Sequence, residues 1–224
     1  MKEAISGLIA IAIIILIFKW EKIVIAFRVK TSNDGCPLSK SRRKQDQLSV
    51  INIARELLEN KDNFVILDTE TTGLNEYDEI IQLAIIDLNG NVLFEENFYP
   101  SKRGTIPPKA SAIHGLTMKL LEGNRTFAES KKDIELAISN KNIITYNAAF
   151  DHKLYMQTYD LNPDNSYFPH NSKWYCAMLL YAQYCNQWDS YHGNYKWHKL
   201  EGGDHTALGD CFATLKLIKK MANF

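Results

Sequence analysis

The run FVILDTETTGL, residues 64–74, opens on four apolar residues and then carries two carboxylates, Asp68 and Glu70. The apolar part reads as a short buried strand. A strand's period of two sets Asp68 and Glu70 side by side on one face and Thr69 on the other. Two ionised carboxylates that close repel each other, and burial raises the cost, so something must offset their charge. Taken alone, the pattern also fits a strand end that runs into a polar turn at Gly73.

What surrounds this strand is globular. A chain of 224 residues with 46% hydrophobic and 11% aromatic content holds one domain with a proper core plus an appendage. The formal net charge of zero hides an asymmetry: residues 1–44 carry nine Lys/Arg against three acids, leaving 17 against 23 in the remainder. A mildly acidic folded part argues against a wide basic face that coats duplex DNA, while permitting a local groove that grips a few phosphates. Cys36, Cys176, Cys185 and Cys211 show no CxxC spacing, which argues against a zinc site or a disulfide framework and fits a reducing compartment.

The N-terminus has a different character. Ala4 to Phe18 is a run of 15 residues without a charge. As a helix it spans roughly 22 Å, short of the ~30 Å hydrocarbon core. Lys19 and Lys22 suit snorkelling and Trp20 suits the interface, so residues 1–30 are expected to form a hydrophobic anchor helix; a cleaved secretory signal and a buried strand-like arm are the rivals. The basic residues that follow, Lys19 to Lys44, assign the downstream domain to the cytoplasmic face of a membrane. Residues 31–47, rich in turn formers and basic groups with no apolar period, are expected to be a tether, and residues 48–224 the folded domain.

Within that domain the spacing of Leu48, Ile51, Ala54, Leu57 and Leu58 predicts a helix ahead of the first strand. Residues 79–88 and 91–100 flank Asn89-Gly90 and predict a β-hairpin. Helices are expected near 107–114 and 127–139, a strand over 142–147, a helix from Ala148 to about Tyr159, and a closing helix over 206–221. Antiparallel strands first and helical crossovers later give a mixed α/β sheet covered by helices. The aromatic-rich stretch 167–200 reads mainly as packing, with Tyr191, His192, Tyr195, Lys196 and Trp197 as a loop that could instead touch nucleic acid.

Two further segments carry carboxylates. In NAAFD, residues 147–151, a strand runs into a helix with Asp151 in its first turn, near a strand's C-terminal end where α/β proteins bind ligands. In HTALGD, residues 205–210, His205 precedes the last helix and Asp210 sits within it. Each is weak alone: Asp151 fits a dipole-favoured helix-start acid, and His205 with Asp210 fits a solvated surface pair.

Together, DTETTG, NAAFD and HTALGD in this order, with IHGLT at residues 113–117, resemble the motifs of DEDD-type 3′-5′ exonucleases of the histidine-containing subclass, similar to the epsilon subunit of DNA polymerase III. The resemblance covers residues 60–222 and departs at Tyr146, where epsilon-type proteins often carry His. It implies a ribonuclease H-like fold with a five-stranded mixed sheet. It also implies that Asp68, Glu70, Asp151 and Asp210 hold two divalent cations, Mg²⁺ or Mn²⁺, and that His205 takes the proton from the attacking water. An imidazole, which ordinarily titrates near neutrality, suits that task. Hard oxygen ligands suit such ions, and the ions offset the repulsion noted at the outset. By the same resemblance Leu74 and Ile113 flank the terminal base, while Thr71, His114 and Asn147 lie near its sugar or phosphate; the alternative makes Leu74 and Ile113 ordinary half-buried core residues. The expected substrate is a nucleic acid 3′ end, DNA ahead of RNA, with replication or repair proteins as further partners. The rival from another class is an inactive membrane-tethered nucleic-acid-binding module.

Overall fold

The computed structural model describes residues 39–161 and 172–223. β1 (Phe64–Thr71) is the central strand of a five-stranded sheet ordered β3-β2-β1-β4-β5, whose other members are β2 (Ile80–Asp87), β3 (Val92–Asn97), β4 (Asn142–Thr145) and β5 (Trp174–Cys176). β1 pairs antiparallel with β2 and parallel with β4, β2 and β3 are antiparallel, and β4 and β5 are parallel. The expected mixed sheet is therefore present, and the hairpin turns at Asn89-Gly90, where Gly90 takes a φ of 97° that favours glycine.

Both faces of the sheet are covered, which is why β1 begins as an unbroken apolar run. Val65 and Leu67 point into a core with α4 (Phe127–Ile138) and α5 (Ala148–Leu161), through Phe127, Ile134, Leu154 and Tyr155. Ile66, one residue out of phase, points into a second core with α1 (Lys40–Glu59), α6 (Ala177–Cys185) and α7 (Ala207–Ala222). The Cys211 thiol of α7 lies 3.5 Å from the Ala84 carbonyl, so this helix rests directly on the sheet. Two short helices, α2 (Pro108–His114) and α3 (Met118–Leu121), lie between β3 and α4, and a small hairpin of β6 (Trp188–Asp189) and β7 (Asn194–Tyr195) follows α6.

The tether reading needs correction. Residues 40–47 are the first two turns of α1, not a flexible linker. The Ser39 side chain caps the helix by accepting the Arg42 N–H at 3.2 Å, and Arg42 pairs with Asp46 one turn on. Gln47 Nε2 donates to the Tyr184 carbonyl at 2.6 Å, and the Tyr195 hydroxyl donates to Asp46 at 2.9 Å. These long-range bonds have no apolar period, so a hydrophobic pattern search starts the helix two turns late. The expected anchor over residues 1–30 lies outside the described residues, and among the described residues no helix is long and apolar enough to cross a membrane.

The corrected boundary predicts a stability difference. A chain starting at residue 48 loses both tertiary hydrogen bonds and two helical turns, so it should melt about 3–8 °C below one starting at residue 39, measured by thermal circular dichroism.

Candidate active site

Asp68 and Glu70 stand on the face of β1 that Ile66 leads to, where the apolar core ends and α7 begins. Thr69 points to the opposite face, and its hydroxyl donates to Asp151 Oδ1 at 3.0 Å. That bond fixes Asp151, itself 3% exposed in the first turn of α5, against the end of the central strand. Asp151 is placed by the short turn out of β4: the Asn147 carbonyl accepts the N–H groups of Phe150 and Asp151.

The segment before α7 brings the remaining groups. Asp210 Oδ1 accepts the N–H of Asp204 at 3.0 Å and of His205 at 3.3 Å, so the helix carboxylate folds its own preceding loop onto itself. Thr206 caps α7 by accepting the Gly209 N–H, and Asp204 Oδ1 accepts both the N–H and the hydroxyl of Thr206. Gln82, facing Glu70 across the β1–β2 pair, accepts the Ala207 N–H at 2.7 Å and ties the loop to the sheet. His205 is held at φ 61°, a left-handed conformation costing a non-glycine residue of order 1 kcal/mol. Ligand atoms of Glu70, His205 and Asp210 consequently all lie within 4.8 Å of one another.

The electrostatics match the crowding. Burial, then the charges of Asp151, Asp210 and Glu70, push the Asp68 carboxyl well above its ordinary range. Glu70 is pushed up to about 8 by burial and then by Asp210, Asp151 and Asp204. Burial also raises Asp151, against the bond from Thr69, and raises Asp210, against the two loop amides. Four oxygen-donor groups that each resist ionisation in so small a space fit a hard divalent cation, whose charge favours the anionic form of all of them.

Of the predicted substrate residues, His114 and Asn147 stand beside this cluster, next to His205 and Asp151. Leu74 is 70% exposed and Ile113 57% exposed, so neither is a core residue. His114, the last residue of α2, feels the charge of His205 and the backbone of Thr71; burial, first among these, lowers its basicity. The Thr71 hydroxyl donates to the Gly73 carbonyl at 2.9 Å. Asn147 precedes α5, and its carbonyl accepts the Asp151 N–H at 3.1 Å.

Several supporting groups escaped the sequence reading. Asp78 is fully buried and accepts the Thr72 hydroxyl at 2.8 Å and the Asn75 N–H at 2.7 Å, with Arg103 paired to it at 2.7 Å. Glu79, equally buried, accepts the N–H groups of Ser101, Lys102 and Arg103. These bonds close the 72–79 turn that displays Leu74. Gln82 was the legible one, a polar residue interrupting an apolar strand. His192 pairs with Asp189, and the His198 ring lies edge-on to Tyr181.

The Exonuclease family model matches residues 65–218. The chain belongs to the DEDDh-type 3′-5′ exonuclease family. It is 36% identical over 180 residues to the uncharacterized exonuclease CP81 of Escherichia phage 186, covering 72% of this chain and 89% of that one. The DNA polymerase III epsilon subunit of Escherichia coli is 32% identical over 95 residues, covering 39% of each chain. Exonuclease I of E. coli, solved with a dA16 oligonucleotide, shares the fold at TM-score 0.56 and 20% identity, covering 71% of this chain and 41% of that one. The exonuclease thus spans most of the phage protein but less than half of the epsilon subunit and of exonuclease I.

Two measurements follow from this geometry. A folded-state carboxyl pKa raised above its unfolded value means the folded form holds more protons, so stability falls as pH rises from about 5 to 8. In EDTA, Asp68→Asn should therefore melt close to wild type near pH 5 and about 3 °C or more above it near pH 8.5, groups common to both proteins cancelling. Separately, a Cβ at Gly203 would stand 2.6 Å from Asp210 Oδ1. Gly203→Ala should lower nuclease turnover by roughly 10- to 100-fold with unchanged circular dichroism, by displacing that carboxylate.

Proposed function

We propose that this exonuclease hydrolyses the terminal phosphodiester bond at the 3′ end of single-stranded DNA, releasing nucleoside 5′-monophosphates one at a time. The carrying observation is the convergence of Glu70, His205 and Asp210 at ligand spacing, with Asp68 and Asp151 buried behind them. Asp68, Glu70, Asp151 and Asp210 would hold two divalent cations, Mg²⁺ or Mn²⁺. When bound, such ions make a water nucleophilic and stabilise charge on the phosphoryl oxygens.

The chain's own groups supply the rest. Leu74 and Ile113, exposed and apolar, flank the terminal base and stack without reading its identity. Thr71, His114 and Asn147 orient the sugar and phosphate. His205, exposed beside the carboxylates, accepts the proton of the attacking water and passes it to solvent. Residues 1–30 act as an anchor on the cytoplasmic face of a membrane, a reading supported by their apolar run and basic flank. Replication or repair proteins are the proposed partners, on the likeness to the epsilon subunit.

The test uses the full chain with 5′-labelled single-stranded DNA and RNA oligonucleotides in Mg²⁺, Mn²⁺ and EDTA. A metal-dependent ladder from the 3′ end is expected, faster on DNA. Asp68→Ala should abolish it and His205→Ala should slow it roughly 10²- to 10⁴-fold. Faster trimming of RNA moves the substrate assignment to RNA. No cleavage of either by the folded, metal-loaded protein overturns the catalytic proposal in favour of a binding module.

A further inference from the structure

Away from the carboxylates, two neighbouring elements gather cations that have no carboxylate partner among the described residues. Lys40, Arg43 and Lys44 lie in the first turns of α1, and Lys196 and Lys199 follow β7. The first turn of α1 holds no acid, so these charges work against the helix dipole and against one another. Arg43 Nε is buried without a hydrogen-bond partner, and the Arg43 charge reaches Tyr195 on the hairpin. The hairpin region also carries large aromatic side chains in solvent: Tyr191, in the turn between β6 and β7, is 91% exposed, and Trp197, two residues past β7, is 64% exposed.

The elements that carry these groups are bonded to one another. Tyr195, buried at 3%, bonds Asp46 of α1 through its hydroxyl and meets the Trp188 ring edge-on at 5.3 Å. The Lys196 N–H donates to the Gln187 carbonyl at 2.8 Å, holding the exit of the hairpin. One residue beyond Trp197, the His198 carbonyl accepts the Tyr146 hydroxyl. Tyr146 stands between β4 and Asn147, beside the turn that delivers Asp151. A chain of bonds therefore links the start of α1, the hairpin and the turn that delivers Asp151.

We propose that this surface carries the single strand on the 5′ side of the terminal nucleotide. Phosphates lie along Lys40, Arg43, Lys44, Lys196 and Lys199, and bases stack on Tyr191 and Trp197. The proposal rests on the exonuclease reading and extends it from the nucleotide being removed to the strand behind it. Cations alternating with exposed aromatic rings are the chemistry of sequence-tolerant single-strand binding. A surface that only meets anionic headgroups needs the cations but not a connection to the rim of the site.

The experiment measures binding of the full chain to 5′-fluorescein-labelled dT4 and dT20 by anisotropy in EDTA, over a range of salt. Wild type is expected to bind dT20 more tightly than dT4. Tyr191→Ala combined with Trp197→Ala should weaken dT20 binding by roughly tenfold or more and flatten the length dependence. Lys196→Gln combined with Lys199→Gln should reduce the salt slope by roughly 0.7 per removed charge. Lys132→Gln, on α4 at the other face of the sheet, should leave both readings unchanged. An unchanged dT20 affinity and salt slope in both double variants overturns the proposal, as does an equal loss on dT4 and dT20. Lost binding to phosphatidylserine vesicles with dT20 binding retained overturns it in favour of a lipid-facing surface. Because these readings need no turnover, a catalytically inert wild type whose dT20 binding still depends on the aromatic pair sinks the exonuclease reading and leaves the strand path standing.

Discussion

The repulsion among four carboxylates at the end of one central strand sets the demands on everything around it. Asp68 and Glu70 are brought together by the pleat, and Asp151 and Asp210 are added from two helices on opposite faces of the sheet. Such a cluster disperses unless the backbone beneath it is rigid. The rigidity comes from burying β1 on both faces and from placing Cys211 directly on the sheet. Two of the carboxylates are also held by bonds that do not use up their charge, Asp151 by the Thr69 hydroxyl and Asp210 by the loop amides. The site resembles a compressed spring whose release is prevented by its mount, and a bound cation would turn its chief liability into binding energy.

A second pair of acids solves a different problem by different means. Asp78 and Glu79 are at least as deeply buried as Asp68, yet they are surrounded by N–H groups, a hydroxyl and, for Asp78, the Arg103 guanidinium. They organise turns rather than receive ligands. What marks the cluster is acids set against other acids, Asp68 and Glu70 most of all, whether or not donors also reach its members.

Much of this was legible because it is local or periodic. The hairpin at Asn89-Gly90, the buried character of β1 and the helical spacing around Asp210 follow from rules that act over a few residues. The three carboxylate motifs were readable only together, since each has an ordinary explanation alone. What escaped depends on partners far along the chain: the bond from Tyr195 to Asp46 spans 149 residues, and it is part of what makes residues 40–47 helix rather than tether. Thr69 escaped because strand periodicity points it away from the site, and only the arrival of α5 on that face gives its hydroxyl a role. The exposure of Leu74 and Ile113 likewise depends on how the 72–79 turn and α2 are held, which hydrophobicity cannot report.

Asp210 has a consequence for ion choice. Its Oδ1 is engaged by the amides of residues 204 and 205, so one oxygen of this carboxylate is already committed to shaping the loop that carries His205. A small ion that keeps most of its hydration and asks for single oxygens leaves that commitment intact. A larger ion that drew on both oxygens of this carboxylate would have to compete with those amides, at the expense of the loop that carries His205. If Asp210 holds a cation as proposed, its divided allegiance would favour Mg²⁺ over Ca²⁺ before any question of cavity size arises.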